Sequence, residues 1–96
     1  MRIVGTKVLD TAIRRHRELG PSIAAWLTIA RIGKWKNLNE LRQTWRDTDC
    51  VRGRTIFNIK GNKYRLLAIV NYTSQPVIVK ELVTHAEYTK QRGWNR

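Results

Sequence analysis

A seven-residue segment near the end of the chain carries side chains that can transfer protons and accompany bound anions. Residues 84–90 read THAEYTK, directly after the apolar run VIVKELV. In one interpretation Thr84 caps a helix and Glu87 completes a capping box. In the other, His85 and Tyr88, three residues apart on one helical face, transfer protons beside an anion. The two are compatible, because a capping box would fix the backbone that carries both side chains.

The apolar segment KYRLLAIVNY supplies cations that could hold such an anion. Alternation along a strand places Lys63 and Arg65 on one face, and Tyr64 and Leu66 on the other. The pattern does not decide which face is buried. An Arg65 that only keeps the sheet soluble therefore fits it as well as one that binds phosphate. His85, at the first position of a helix, would lie where the backbone dipole favours an anion.

Several catalytic classes are disfavoured by residue type and spacing. The seven acidic residues are scattered, and Asp47 with Asp49 is typical of an ordinary turn, whereas metal-dependent phosphodiesterases need converging carboxylates. The sequence has no glycine-rich phosphate loop and no nucleophile elbow. A catalytic pair of His16 and His85 is disfavoured, because the run RRHR around His16 is typical of a solvated helix face. We therefore expect a basic site that uses no metal and no cofactor.

The charge balance indicates a polyanionic partner. Nineteen Lys and Arg residues stand against seven Asp and Glu, a formal net charge of +12, and the cations are spread over both halves of the chain. Nucleic acid, including the ribosome, is favoured over a membrane surface, because the apolar positions of the most basic helix are needed for a core. The arginines of that helix are expected to point outward: Arg14, Arg15 and Arg17. No signal peptide or membrane span is recognisable, and a single cysteine, Cys50, suits a reducing cytoplasm.

The first half of the chain has the patterns of three helices. A short strand is predicted at residues 2–5, and Thr6 is expected to cap a helix over TKVLDTAIRRHREL. Pro21 suits the first position of a second helix that ends at Gly33. This helix is so rich in apolar residues that we expect it to be covered on more than one side. Asn37 caps a third helix, NLNELRQTW.

The second half has the patterns of a sheet. RDTDCVRGR predicts a polar turn, and three strands follow, TIFNI, KYRLLAIVNY and PVIVKELV, separated by short turns. Adjacent strands with short connections are antiparallel. The sequence therefore predicts one domain over residues 1–96 with an α+β fold. Two to three N-terminal helices pack on one face of a small antiparallel sheet, followed by a short C-terminal helix. Residues 91–96 are expected to form a flexible tail.

The segment FNIKGNKYRLLAIVNY…VIVKELVTHAEYTK resembles the HigB toxins of bacterial type II toxin-antitoxin systems. The match is strong over residues 55–90, and the combination of GNKYRL with a THxEYD-like motif is specific. The preceding helices match more loosely. The chain departs from the motif at Thr89, where the family usually has Asp. The resemblance implies a RelE/ParE-like fold with a basic surface.

The resemblance also implies an activity and its residues. Such toxins cleave mRNA on the ribosome by attack of the RNA's own 2′-hydroxyl, without a metal ion. Arg65 matches the phosphate-stabilising arginine, Tyr88 matches the aromatic acid/base position, and His85 is a further participant. Which group is general base and which is acid stays open. The expected RNA- and phosphate-binding residues are Lys63, Lys80, Lys90, Arg14, Arg15 and Arg17. The expected partners are mRNA, ribosomal RNA and a HigA-like antitoxin with a helix-turn-helix domain.

Two other classes of function are consistent with the sequence. A non-catalytic toxin on the same fold would block a protein target such as gyrase, and it would inhibit growth while leaving mRNA intact. A simple RNA- or ribosome-binding module would bind with a steep dependence on salt and would not be toxic.

Overall fold

The computed structural model describes the backbone of residues 1–94 and the side chains of residues 1–90. The elements run in the order β1 Arg2–Val4, α1 Thr6–Arg15, a 3₁₀ turn Arg17–Leu19, α2 Gly20–Ile32, α3 Leu38–Thr44, β2 Asp49–Val51, β3 Arg54–Ile59, β4 Tyr64–Val70, β5 Pro76–Thr84 and α4 His85–Trp94. The predicted α+β class, with helices before a meander and a short C-terminal helix, is confirmed. The predicted tail stays a prediction: residues 95 and 96, and the side chains of residues 91–94, lie outside the described residues.

The sheet has five strands in the order β1-β5-β4-β3-β2. Strands β2 to β5 form the antiparallel meander, but β1 pairs parallel with β5, so the sheet is mixed rather than purely antiparallel. The interpretation of RDTDCVRGR as only a turn is wrong, because it contains β2. Asp49 and Cys50 are exposed on this edge strand, so the segment lacks the apolar pattern from which a strand is predicted. Arg52 and Gly53, with φ of 52° and 78°, form the tight turn that joins β2 to β3.

Helices α1 to α3 pack on one face of the sheet, and the other face carries Arg65 and the start of α4. Tyr64, Leu66 and Ala68 of β4 are buried in the core shared with the helices. Arg65 lies on the opposite face, half-buried. The alternation in β4 is therefore as predicted, and packing of the helices decides that the Arg65 face stays accessible. An aromatic cluster fills the core below α2 and α3: Trp26, Trp35, Trp45 and Phe57.

The first helix begins and ends differently from the prediction. Thr6 is the first helical residue, and the N-cap is Gly5, with a left-handed φ of 87°. A Cβ at Gly5 would lie 2.6 Å from the Val79 carbonyl oxygen, so close packing on β5 requires glycine here. The helix ends at Arg15 rather than running to Leu19, because the chain turns into the 3₁₀ segment that buries Leu19.

The second helix is covered on one side only, contrary to the prediction. Ile23, Trp26 and Ala30 are buried, whereas Ile32 is 76% exposed and Ile29 is 37% exposed. The domain is too small to place a second layer over this helix. No helix of the described residues is long and apolar enough to cross a membrane.

A β-bulge in β5 decides which of its side chains face the helices. Leu67 pairs with Glu81 and Ala68 pairs with Val79, so Lys80 is the extra residue. Because the bulge shifts the alternation by one residue, Leu82 and Thr84 lie on the helix side of the sheet. They pair with Leu66 and Tyr64 of β4.

Candidate active site

Helix α4 is held at the start of β4 by the sheet ladder. Thr84, the last residue of β5, pairs with Tyr64, and the backbone N–H of His85 donates to the carbonyl of Lys63 at 2.9 Å. The ladder therefore continues one step into the helix. It places the first turns of α4 beside Arg65, two residues beyond Lys63.

The capping box predicted at the start of α4 is confirmed. The Thr84 backbone N–H donates to Glu87 Oε1 at 2.9 Å, and the Glu87 N–H donates to Thr84 Oγ1 at 3.1 Å. The hydrogen bond from the Thr84 backbone is the main reason that the pKa of the Glu87 carboxyl lies below its ordinary value. Thr89, which replaces the motif's Asp, donates from Oγ1 to the His85 carbonyl at 2.9 Å. Glu87 is thus an ionised capping group.

Glu87→Ala is expected to destabilise the fold at neutral pH by about 0.5 kcal/mol, the lower end of capping contributions. Because folding lowers the pKa of Glu87, its contribution is fully present above the ordinary value of 4.5 and is lost as pH falls through the lower folded pKa. The gap in melting temperature between wild type and Glu87→Ala should therefore shrink below pH 4.5. Glu87→Gln is the control, since it can accept the same bond without titrating. A gap that is constant with pH would contradict this role.

The structure brings the three predicted catalytic residues together. Arg65, His85 and Tyr88 line one cleft of about 260 Å³ on the open face of the sheet. The Arg65 Cζ lies 6.0 Å from the centroid of the Tyr88 ring, at the outer limit of a cation–π contact. The remaining residues of the cleft are Asp47, Asp49, Ile56, Asn58 and Thr89.

The Arg65 guanidinium is held in place by the β3–β4 turn. Its Nη1 donates to the carbonyls of Asn62 and Tyr64, both at 3.2 Å, and its Nη2 donates to Asn62 Oδ1 at 3.5 Å. A guanidinium has five N–H donors, so two are left for a ligand. Arg65 is consequently oriented by the fold and still has donors for an anion, whereas a freely rotating arginine would first have to be ordered.

Sequence reasoning assigned no function to four polar residues of this cleft: Asp47, Asp49, Asn58 and Thr89. Asn58 is the cross-strand partner of Arg65 in the β3–β4 ladder. Asp47 precedes β2 and reaches the cleft because β2 and β3 pair. The register of a hairpin could have indicated Asn58, but nothing in the sequence around Asp47 predicts that it lines the same cleft as Arg65.

The predicted phosphate-binding lysines and arginines lie outside the cleft. Lys63 is exposed in the β3–β4 turn, and Lys90 is exposed on α4. Lys80, the bulge residue, lines a different cleft of about 400 Å³ between α1 and β5, together with Arg15, His16 and Glu87. The three helix-face arginines are all exposed: Arg14, Arg15 and Arg17.

His16 and His85 do not form a catalytic pair. The His16 ring lies 5.2 Å from the ring of Tyr64, on the helix side of β4, and its Nδ1 lies 3.9 Å from Glu18. The Tyr64 hydroxyl donates to the same carboxylate. His85 lines the cleft on the opposite side of the sheet. Among the side chains that the structure describes, no three His, Cys, Asp or Glu residues are grouped as a metal site.

Comparisons with known proteins match most of the chain. Residues 20–91 match the family model of the HigB toxin, the RelE-like toxic component of a toxin-antitoxin system. The chain is 25% identical over 91 residues to the mRNA interferase toxin HigB of Escherichia coli strain K12, covering 92% of this chain and 88% of that protein. The same identity and coverage hold for the mRNA interferases HigB of Escherichia coli O157:H7 and of Shigella flexneri.

Proposed function

The chain belongs to the HigB family of RelE-like toxins, the toxic components of toxin-antitoxin systems, and on this premise we propose that it is an endoribonuclease that cleaves mRNA on the ribosome. Its relatives of similar length are named mRNA interferases. We propose further that cleavage is a metal-independent transesterification. The 2′-oxygen of the RNA attacks the adjacent phosphorus, the bond to the 5′-oxygen breaks, and a 2′,3′-cyclic phosphate and a 5′-hydroxyl result.

The observation that carries this proposal is the cleft that joins Arg65 to His85 and Tyr88. Negative charge on the nonbridging phosphate oxygens grows in the transition state, and a fixed guanidinium stabilises that state more than the ground state. The turn of β3–β4 already orients Arg65, so little reorganisation is needed when the phosphate arrives.

Proton transfer falls to the two α4 side chains in the cleft. The reaction removes a proton from the 2′-hydroxyl and delivers one to the leaving 5′-oxygen, and each transfer needs a positioned group. Of the α4 side chains that the structure describes, His85 and Tyr88 line the cleft and are of the types that commonly act as general acid or base. Glu87 belongs to the capping box and to the other side of the helix, where it lines the cleft of Arg15 and His16.

The basic segment at residues 14–17 is proposed to dock on ribosomal RNA. The contact of His16 with Tyr64, the first residue of β4, places this segment at the same end of the sheet as Arg65. Its three arginines are exposed. A ribosome that presents mRNA to the cleft can thus contact these cations without competing for Arg65.

Replacing Arg14, Arg15 and Arg17 together by Ala is expected to weaken ribosome binding, with little change in melting temperature. Each arginine that binds a phosphate adds to the salt dependence of the affinity. On a plot of the logarithm of the association constant against the logarithm of salt concentration, the magnitude of the slope should therefore fall by about one for each phosphate that the variant no longer binds. Ribosome co-sedimentation at several salt concentrations measures both the affinity and this slope.

The matched control removes three exposed cations from the other end of the sheet: Arg31, Lys34 and Lys36. That segment lies near the β4–β5 turn, where Gln75 Nε2 donates to the Trp35 carbonyl at 3.3 Å. If both triple variants weaken binding equally, only net charge matters, and the docking role of residues 14–17 fails.

The partner that restrains the toxin is proposed to be a separate antitoxin, either acidic or carrying a helix-turn-helix domain as in HigA. Membership of a toxin-antitoxin family supports a cognate antitoxin. The net charge of +12 favours an acidic surface on the antitoxin. The proposed setting is the cytoplasm, where ribosomes and mRNA are found together.

The test is induction of the chain without its antitoxin, followed by mapping of RNA 5′ ends. New 5′-hydroxyl ends within translated mRNA are expected, and they should disappear when Arg65 is replaced by Ala. Any cleavage of naked RNA in vitro should persist in EDTA. Growth inhibition with intact mRNA would instead indicate a non-catalytic toxin, and ribosome binding without toxicity would indicate a binding module. A requirement for added Mn²⁺ or Zn²⁺ on naked RNA would overturn the metal-independent mechanism.

A further inference from the structure

The cleft around Arg65 continues into a second groove that the proposed reaction does not use. This groove has a volume of about 220 Å³ and shares two residues, Asp47 and Asn58, with the first cleft. Its other lining residues are Trp45, Arg46, Thr48 and Gly61. Asn58 stands directly across the β3–β4 ladder from Arg65. A ligand whose phosphate is held by Arg65 can therefore reach past Asn58 into this second groove.

The groove contains a polar group that the fold buries without a partner. Thr48 is only 3% exposed, and its Oγ1 makes no hydrogen bond within the described part of the chain. An unsatisfied buried hydroxyl destabilises a fold, and a ligand in the groove that Thr48 lines would supply the missing partner. Thr48 can both donate and accept.

Asp47 is available to a ligand, unlike its neighbour Asp49. The Asp49 carboxylate lies 3.7 Å from Arg42 Nη2, and its Oδ1 accepts the Cys50 backbone N–H at 2.8 Å. Neither a hydrogen bond nor an ion pair engages the Asp47 side chain among the described residues. An ionised carboxylate only accepts hydrogen bonds, and it repels phosphate. Its partner in an RNA must then be a donor, either a ribose hydroxyl or the donor edge of a base, and only the base edge differs from one nucleotide to the next.

We propose that this second groove binds the nucleobase next to the scissile phosphate and reads its donor edge through Asp47, with Asn58 and Thr48 completing the contacts. This inference rests on the proposed function. Single-stranded RNA is commonly read on its Watson–Crick edge. Guanine presents two adjacent donors, N1–H and the N2 amino group, to one carboxylate. Adenine and cytosine present one amino group beside an acceptor, and uracil presents one N–H between two carbonyls. The expected order of preference is guanine first and uracil last.

The first experiment measures binding without cleavage. The ligands are four dinucleotides that differ only in the second base and carry a 2′-O-methyl group, so that the attacking hydroxyl is blocked. NMR titration of the whole chain should show the tightest binding for guanine, with the backbone signals of residues 47, 48 and 58 shifting. Asp47→Asn should reduce the ratio of the affinities for the guanine and uracil dinucleotides by about 10-fold, the order expected for a bidentate contact to a base. Asp10→Asn removes the same charge from an exposed site on α1 and should keep the ratio.

The second experiment measures the effect on cleavage. Cleavage sites mapped for Asp47→Asn should lose the preference for one base beside the cut, while cuts at other bases persist. Thr48→Val should keep or raise the melting temperature, because it removes an unpaired hydroxyl, while it weakens cleavage at preferred sites. Equal affinity for the four dinucleotides would overturn the inference, whether or not the chain cleaves RNA. A uniform fall in cleavage for Asp47→Asn with an unchanged base preference would also overturn it, and would indicate a catalytic carboxylate instead.

Discussion

Arg65→Lys is expected to lower mRNA cleavage by about 100-fold or more, the loss typical of removing one preorganised stabiliser of transition-state charge. An ammonium keeps the charge but loses the planar fork that binds two phosphate oxygens at once. It also cannot reproduce the bonds that orient the guanidinium on the Asn62 and Tyr64 carbonyls. The cleavage rate on programmed ribosomes measures the effect, and the melting temperature should change little, because Arg65 lies outside the core that the helices share with the sheet.

Arg54→Lys is the matched control for this substitution. Arg54 is exposed at the start of β3 and does not line the cleft. Arg54→Lys makes the same chemical change in the same sheet, so this variant should cleave mRNA at nearly the wild-type rate. Equal activity of the two variants would show that Arg65 contributes only positive charge, or nothing, and the mechanism above would lose its central group.

Tyr88→Phe is expected to lower cleavage by about 10-fold or more without a change in stability. The ring remains beside Arg65, so packing at the start of α4 is kept. Only the hydroxyl is lost, and with it the transfer of a proton or the alignment of the substrate. Single-turnover cleavage on ribosomes separates this effect from a change in binding.

Thr84→Ala distinguishes the catalytic role of this segment from its structural role. It removes the acceptor for the Glu87 N–H and should cost about 1 kcal/mol of stability, with cleavage affected far less than by Tyr88→Phe. Tyr88→Phe should therefore lower the cleavage rate, whereas Thr84→Ala should lower the stability. If Tyr88→Phe retains wild-type cleavage and Thr84→Ala alone has an effect, on stability, the segment THAEYTK is a capped helix and no more.

The sequence by itself predicted the features that depend on neighbouring residues. A capping box needs only Thr84 and Glu87 at a spacing of three, and the alternation in β4 needs only the pleat of a strand. Pro21 at the start of α2 and Asn37 at the start of α3 are local signals of the same kind. The motif residues Arg65, His85 and Tyr88 followed from a family resemblance, and they meet in one cleft because the β4–β5 pairing continues into α4.

Only the tertiary structure decided the features that depend on contacts between distant segments. β1 joins the sheet by pairing in parallel with β5, which lies more than seventy residues away in the chain. β2 has no apolar pattern, because an edge strand with exposed side chains is selected by backbone pairing with β3 and not by burial. Periodicity cannot state which face of β4 the helices cover, since both faces carry side chains that a core accepts.

The residues of the cleft likewise depend on long-range contacts that the sequence does not predict. Asp47 and Arg65 line one cleft only because β2, β3 and β4 pair in one register, and the bulge at Lys80 turns that lysine toward α1 and away from the cleft. The sequence disfavoured a pair of His16 and His85 only through the cationic run around His16, whereas in the structure the sheet lies between the two histidines. A sequence pattern records the spacing of residues along the chain, whereas the chemistry of a site depends on which face of the sheet each residue reaches, and long-range pairing and packing determine that face.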